Sequence, residues 1–320
     1  MAQSRPSVVV VGSANVDMIV LSERLPRPGE TVAGGRFLSA GGGKGANQAV
    51  AARRLDADVR FIVRLGDDSL GKTIRDTFVA EDLSTTWVRT DSEAATGVAL
   101  ILVDRAGENM ISVASGANSR LSPEDVRDSA SAFDNAAVLL VQLEIPVVTV
   151  KVGLEEARRR NMTTVLNPAP ARVVPDDVLG LVDWLTPNEH EAATLVGFPV
   201  TTREAALAAA RELLERGPRH VVITLGAQGC VYRSAAGELV VEPCVVNAVD
   251  STAAGDAFSA ALAVSLARGD AEIVALQYAS AAGAVATTRP GAQPSLPTHA
   301  EVTALVEETS RDFRHRPQRG

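Results

Sequence analysis

The sequence predicts an α/β domain: a mostly parallel β-sheet covered by helices on both faces, with a small β-sheet lid. Three observations predict it. Continuous apolar runs recur along the chain, helical patterns separate them, and two segments break that alternation with short β-like pieces.

The elements follow in order. Val8-Val9-Val10-Val11-Gly12 is an apolar run closed by glycine, as expected of a strand buried on both faces. Val16 to Phe37 carries β-like pieces and little helical periodicity. Val59 to Leu65 is the next buried strand. Within Gly97 to Ser115, Val98 to Val103 and Asn109 to Val113 flank the polar Asp104 to Glu108 and read as a β-hairpin. Ser122 then caps a helix that has Pro123 at its first position. Strands at Ala137 to Leu143, Thr163 to Leu166 and His220 to Leu225 alternate with helices near Thr149 to Arg160 and Thr202 to Arg216. Two more helices follow, near Ala254 to Ala267 and Ala271 to Thr287. Segments 16–37 and 97–115 are predicted to fold together as a lid over the main sheet's edge. No repeat or linker divides the chain, so residues 1–320 read as one domain with these two insertions.

Composition narrows the function. Of 320 residues, 46% are apolar and 22% charged, which is ordinary globular usage. Lys plus Arg is 31 and Asp plus Glu is 39, a formal charge of −8 that disfavours sequence-independent nucleic-acid binding. The locally basic tail Arg311 to Arg316 reads as a solvated terminus. Cys230 and Cys244 make neither a disulfide framework nor a zinc site. The longest uncharged stretch, Ile273 to Thr288, is too short and too polar to span a bilayer. Met1 to Pro6 lacks the apolar core of a signal peptide. A soluble, cytoplasmic protein is expected.

Gly66-Asp67-Asp68-Ser69-Leu70-Gly71-Lys72-Thr73 fits the phosphate-loop pattern G-x-x-x-x-G-K-[ST]. Charge argues against that role, because Asp67 and Asp68 would stand beside a polyphosphate. The segment reads instead as a strand-to-helix turn.

Stronger chemistry lies in Asp250-Ser251-Thr252-Ala253-Ala254-Gly255-Asp256-Ala257-Phe258. Small residues at 253 to 255 open a helix, so backbone N–H groups can meet an anion closely. Asp256, in the first turn, is placed to take a proton from a hydroxyl that attacks a phosphoryl group. Alone, it reads equally well as a helix-terminus charge. Ala40 to Gln48 places a glycine run before a helix, with Lys44 and Asn47 available to a ligand. Gly12 to Asp17 sets Asn15 and Asp17 after a buried strand, where amide and carboxylate groups suit sugar hydroxyls. His190, His220 and His299 show no metal-ligand spacing, and Trp87 and Trp184 read as packing residues.

These segments, in this order, resemble the PfkB carbohydrate kinase family and, within it, the branch that phosphorylates ribose. The resemblance runs from about Val8 to Thr298. It includes Pro28-Gly29-Glu30-Thr31, Gly66 to Ser69, Gly107-Glu108-Asn109 and Gln142-Leu143-Glu144. Asn167 to Pro170, Thr186 to Glu189, Thr224 to Gly226 and Gly291 to Ser295 extend it.

The resemblance implies a three-layer α/β/α sandwich and ATP-dependent phosphorylation of D-ribose at its 5-hydroxyl. Asn15, Asp17, Gly42, Gly43, Lys44, Asn47, Glu144 and Asp256 match sugar-contacting positions. Asp256 matches the catalytic base, with Ala253, Ala254 and Gly255 forming the anion hole. Asn188, Glu191, Thr224, Leu225, Gly226, Ala227, Gln228, Gly229, Gly255 and Ser280 match nucleotide-binding positions. Of these, Asn188 and Glu191 belong to an Asn-x-x-Glu element that organises Mg²⁺ and phosphate. Asp250, Thr252, Ala286, Arg289, Gly291 and Ser295 match a monovalent-cation site suited to K⁺. The lids of a homodimer are implied to pack together and bury residues such as Ile19, Leu100 or their neighbours.

The chain departs from the family pattern at Ala257, Ser259 and Ala260, which are small enough to pack at the helix start. Thr252 replaces a commoner aliphatic residue, and Ser280 a larger polar one near the adenine. Deoxyribose, fructose and nucleosides are alternative substrates, and a non-catalytic ribose sensor is the alternative from another class.

Overall fold

The computed structural model describes residues 5–315, and the side chains of residues 5–310. The readings of Met1 to Ser4 and of the basic side chains from Arg311 onward lie outside the described residues. Strands β1 (Ser7–Val11), β2 (Asn15–Leu21) and β3 (Arg36–Gly42) precede helix α1 (Lys44–Arg54). Next come β4 (Asp58–Gly66), α2 (Ser69–Ala80), β5 (Val88–Asp91), β6 (Gly97–Val103) and β7 (Asn109–Ala114). Helix α3 (Pro123–Asp128) leads into β8 (Val138–Val141), α4 (Val147–Arg159), β9 (Thr163–Leu166), α5 (Asp176–Leu179) and β10 (Trp184–Leu185). After them stand α6 (Glu189–Val196), α7 (Arg203–Glu215), β11 (His220–Thr224), β12 (Cys230–Ser234) and β13 (Gly237–Val241). Helices α8 (Ala254–Arg268), α9 (Glu272–Ala286) and α10 (His299–His315) complete the described chain.

The main sheet has the order β13-β12-β11-β10-β9-β8-β1-β4-β5. All neighbours are parallel except the antiparallel pairs made by β12. β1 is an interior strand, between β8 and β4, and its alternation divides the core. Val8 and Val10 pack with residues of α1, α2, α8 and α9, while Val9 and Val11 pack with residues of α3, α4 and α7. All four valines are fully buried, which explains an unbroken apolar run where a half-exposed strand would alternate. Ser122 caps α3 through a reciprocal capping box with Asp125, and Pro123 opens the helix as its sequence predicts.

A second, smaller sheet of order β3-β2-β6-β7 brings together the two segments expected to form a lid. β6 and β7 make the expected hairpin, and β2 runs parallel to β6. The lid boundary differs from the 16–37 reading, because β3 continues to Gly42. Gly41 and Gly42 pair with Val16 and Asn15, so the glycine run begins as strand rather than loop. Gly43, at φ 85°, turns the chain into α1. The register also places Ile101, not Leu100, beside Ile19; Leu100 pairs with Met18 and faces the other side.

Trp184 is buried and stacks on His220 at 4.2 Å between ring centroids, and His220 Nδ1 lies 2.8 Å from the Tyr232 hydroxyl. His299 meets the Tyr278 hydroxyl at 2.7 Å. Both histidines are therefore packing partners of aromatic side chains. No described helix is long and apolar enough to cross a membrane.

Candidate active site

The chain leaves β1 for β4 on one side, while β8 lies on β1's other side. Such a switch point opens a crevice at the strands' C-terminal ends, where α/β proteins place ligands. The loops after β1 and β8 meet there. Ser13 Oγ donates to Glu144 Oε2 at 2.5 Å, and the same oxygen accepts the Lys44 N–H at 2.9 Å. Asn118 accepts the Ala14 N–H at 2.9 Å and donates to Asn15 Oδ1 at 2.8 Å. It thereby sets the orientation of the Asn15 amide. Asn118 carried no signal in the sequence, because its partner lies 103 positions away.

Asp17 projects from β2 against Gly42. Burial first, then the Glu144 and Asp256 carboxylates, push its pKa up to about 6. Lys44 balances this negative cluster. Burial opposes its charge, yet Asp256, Glu144 and Glu191 outweigh that and hold it above the ordinary lysine value.

Asp256 is buried in the first turn of α8. Asn47 Nδ2 donates to its Oδ2 and Gln48 Nε2 to its Oδ1, each at 2.9 Å. Ala253 adopts the left-handed conformation, φ 60°, where α8 begins. The Ala254 N–H bonds Ser251 O at 3.2 Å, and the next first-turn N–H groups have no acceptor within the helix. A cavity of about 210 Å³ opens before them, bounded by Lys44, Asn188, Glu191, Thr224, Ala253, Gly255 and Asp256. A β-carbon at Gly255 would meet nothing within 4 Å, so the protein itself does not require glycine there. What glycine leaves open is the approach of a ligand to the backbone.

Several nucleotide candidates share this rim. Asn188 Oδ1 accepts the Glu191 N–H at 2.8 Å and Glu191 Oε2 accepts the Asn188 N–H at 2.9 Å, a capping box that starts α6. Burial raises the Glu191 pKa, opposed by the Asn188 N–H and Lys44. Thr224 pairs with Cys230, whose Sγ lies 3.9 Å from Ser280 Oγ, so Ser280 stands behind the same edge. Leu225 is buried and its N–H bonds Gly229 O at 2.8 Å, leaving Gly226, Ala227 and Gln228 as a tight turn.

The cation candidates also converge. Asp250 Oδ1 accepts from Thr252 N and Oγ1 at 2.9 and 2.6 Å, while Oδ2 accepts the Gly291 N–H at 2.8 Å. The Asp250 N–H reaches Thr287 O, next to Ala286, at 3.1 Å. Arg289 Nη2 donates to Ser295 O at 3.2 Å. Asp250 thus ties the approach to α8 to the 289–295 loop and does not cap α8, whose cap is Ala253. Among the described residues, no three His, Cys, Asp or Glu side chains gather as a metal cluster.

Gly66 to Thr73 lies elsewhere. Asp68 caps α2 by accepting the Gly71 N–H at 2.8 Å, and its other oxygen accepts the Thr96 N–H at 2.8 Å. A carboxylate of the chain itself thus takes an N–H that a phosphate loop would offer to its anion. A larger hollow of about 400 Å³ opens at the opposite ends of β9 to β11. There Arg158 and Arg219 each pair with Asp183 at 3.3 Å.

The profile described as pfkB family carbohydrate kinase matches residues 5–299. A ribokinase of Haemophilus influenzae is 40% identical over 303 residues, covering 95% of this chain and 99% of that one. A deoxyribokinase of Salmonella typhi is 35% identical over 293 residues, covering 91% and 95%. The structure of Arabidopsis thaliana ribokinase complexed with ribose and ATP aligns with a TM-score of 0.89 and 32% identity, covering 95% of this chain and 99% of that one.

Proposed function

This chain belongs to the pfkB family of carbohydrate kinases, and from that premise we propose that it is a ribokinase, converting D-ribose and ATP to D-ribose 5-phosphate and ADP. One observation carries the reading. A buried carboxylate, Asp256, held by two amides, sits at a helix N-terminus that opens on a cavity flanked by Lys44.

Asp256 takes the proton of the 5-hydroxyl as that oxygen bonds to the γ-phosphorus. The bond from phosphorus to the bridging oxygen breaks, and ADP leaves with those electrons. The first-turn N–H groups around Gly255 and the Lys44 ammonium oppose the charge spreading over the phosphoryl oxygens. For the sugar, Asp17 and Glu144 are carboxylate acceptors. Asn47 Oδ1 is buried with no partner in the protein, so a sugar hydroxyl would satisfy it. A site with this many acceptors favours a sugar that keeps every hydroxyl, because an analogue lacking one leaves a buried group unpaired.

Asn188 and Glu191 would face Mg²⁺, which typically holds one or two carboxylates together with substrate phosphates and supplies charge neutralisation there. Asp250, Thr252, Ala286, Arg289, Gly291 and Ser295 would surround K⁺ with oxygens and one carboxylate, a donor set suited to a hard cation. The lid supports a homodimer. Leu38, Ile19, Ile101 and Ile111 stand in one cross-strand row on the Asp17 face, and Phe37, Met110 and Val113 are more than half exposed.

The test is ADP formation with a panel of pentoses, hexoses and nucleosides. Highest kcat/KM with D-ribose is expected. A higher value with 2-deoxyribose, or none with any sugar, would overturn the reading.

A further inference from the structure

We propose that Gln48 is a positioning residue for Asp256, holding the plane of the base through a chain of buried amides that does not touch the sugar. The proposal rests on the reading of Asp256 as the general base.

Gln48 is fully buried on α1 and does not border the cavity. Its Nε2 donates to Asp256 Oδ1 at 2.9 Å and also lies 3.1 Å from Asn167 Oδ1. A carboxamide can present either end, and here the choice is made by its neighbours. Gln142 Nε2 donates to Gln48 Oε1 at 2.5 Å, which directs the Gln48 NH₂ toward Asp256. Asn167 Nδ2 in turn donates to Thr186 O at 3.0 Å, so its Oδ1 faces Gln48. Every amide in the chain therefore has one orientation. The residues come from α1, the end of β8 and the end of β9, so the chain spans the crevice floor.

Two donors hold Asp256, and they differ in kind. Asn47 grips Oδ2 and is also a sugar candidate, its own Oδ1 being buried without a partner. Gln48 grips Oδ1, and both ends of its amide are held by protein partners. Both donors are neutral. They orient the carboxylate without the full countercharge that an arginine would place on it, which would weaken it as a base. Gln142 Oε1 ends the chain buried and without a hydrogen bond. That is a cost of this fixed polarity, and reversing the amides would set Gln48 Oε1 against the Asp256 carboxylate.

The experiment compares Gln48→Leu, Gln48→Glu and Gln142→Leu with the unmodified protein. Gln48→Leu should lower kcat about 10- to 100-fold, the effect of a misplaced reacting group, and leave both KM values within about threefold. Gln48→Glu keeps the shape but donates only when its carboxyl is protonated, so its activity relative to Gln48→Leu should recover as pH falls. Gln142→Leu should give a smaller loss of the same form. A fall confined to KM, or pH profiles that superimpose, would overturn the proposal. A second readout needs no turnover. The Gln48 side-chain NH₂ signal in ¹⁵N spectra, identified by its loss in Gln48→Leu, should shift in Asp256→Asn. An unmoved signal would refute the contact itself, whereas absence of ribose turnover beside a normal shift would count against the ribokinase reading alone.

Discussion

Gly42 lies so close to Asp17 that a β-carbon at position 42 would stand 2.2 Å from its Oδ1. The glycine that ends β3 is therefore the floor on which the Asp17 carboxylate rests. Gly42→Ala must displace Asp17, since no side chain tolerates that distance. Loss of one hydrogen bond to a charged group is worth roughly 1.5–3 kcal/mol, so the KM for ribose should rise about 10- to 100-fold while the KM for ATP holds. Steady-state kinetics with each substrate varied checks this, and an unchanged ribose KM would remove Asp17 from the sugar site.

Asp17 also sets a pH dependence. Its pKa in the folded chain is about 6, raised from 3.8 by burial and by two neighbouring carboxylates. The folded protein thus binds this proton more tightly than the unfolded chain. Its contribution to stability is greatest below about pH 4 and is lost as pH rises through about 6. Asp17→Asn should raise the Tm of the free protein at about pH 8 and do so less at about pH 5. In the unmodified enzyme the ribose KM should climb below about pH 6, as the charged acceptor is neutralised. An equal Tm gain at both pH values would show that the carboxylate carries no such strain.

Asp256→Asn should lower kcat about 10²- to 10⁴-fold through loss of the base. It does not leave the surroundings untouched. Two N–H donors, from Asn47 and Gln48, face the two oxygens of Asp256, and an asparagine offers only one oxygen. One amide must turn, so ribose binding measured by calorimetry should weaken by a few-fold rather than remain identical. More than a tenth of normal turnover would exclude the assigned role.

Lys72→Ala separates the two phosphate-binding readings. Asp68 already takes the Gly71 N–H, and Gly66 to Thr73 does not border the cavity. The KM for ATP should be unchanged within about twofold, against a large rise for Gly255→Val, whose side chain would enter the space before the helix N-terminus. A comparable loss in both variants would restore the phosphate-loop role.

Asp250 joins two loops through Thr252 and Gly291. Activity at constant ionic strength should be higher in K⁺ than in Na⁺, and Asp250→Ala should abolish the difference. Because the same substitution frees the 289–295 loop, its Tm should also fall, by the loss of hydrogen bonds worth about 1 kcal/mol each. Equal rates in potassium and tetramethylammonium would leave Asp250 a purely structural clasp.

What the sequence determined by itself was the part of the fold written in short-range rules. The four valines of β1, the capping box of Ser122 and Asp125, and the β6–β7 hairpin depend on neighbours within a few positions. The helix start at 253 to 256 was legible for the same reason, since small residues followed by an acid have a local meaning there. Elements with weak local patterns were not. β5 is a four-residue edge strand containing Arg89 and Thr90, β10 has two residues, and β12 runs antiparallel to both its neighbours on a sheet otherwise parallel. Tertiary structure alone decided three further matters. It made Gly41 and Gly42 strand by pairing them with β2. It set Ile101 beside Ile19, because a one-residue shift of register exchanges the faces of a strand. It brought Gln48 and Asn47 onto Asp256 across more than 200 positions of sequence. Periodicity states which face of an element is apolar, but an amide finds its carboxylate only once the helices that carry them have packed on one sheet.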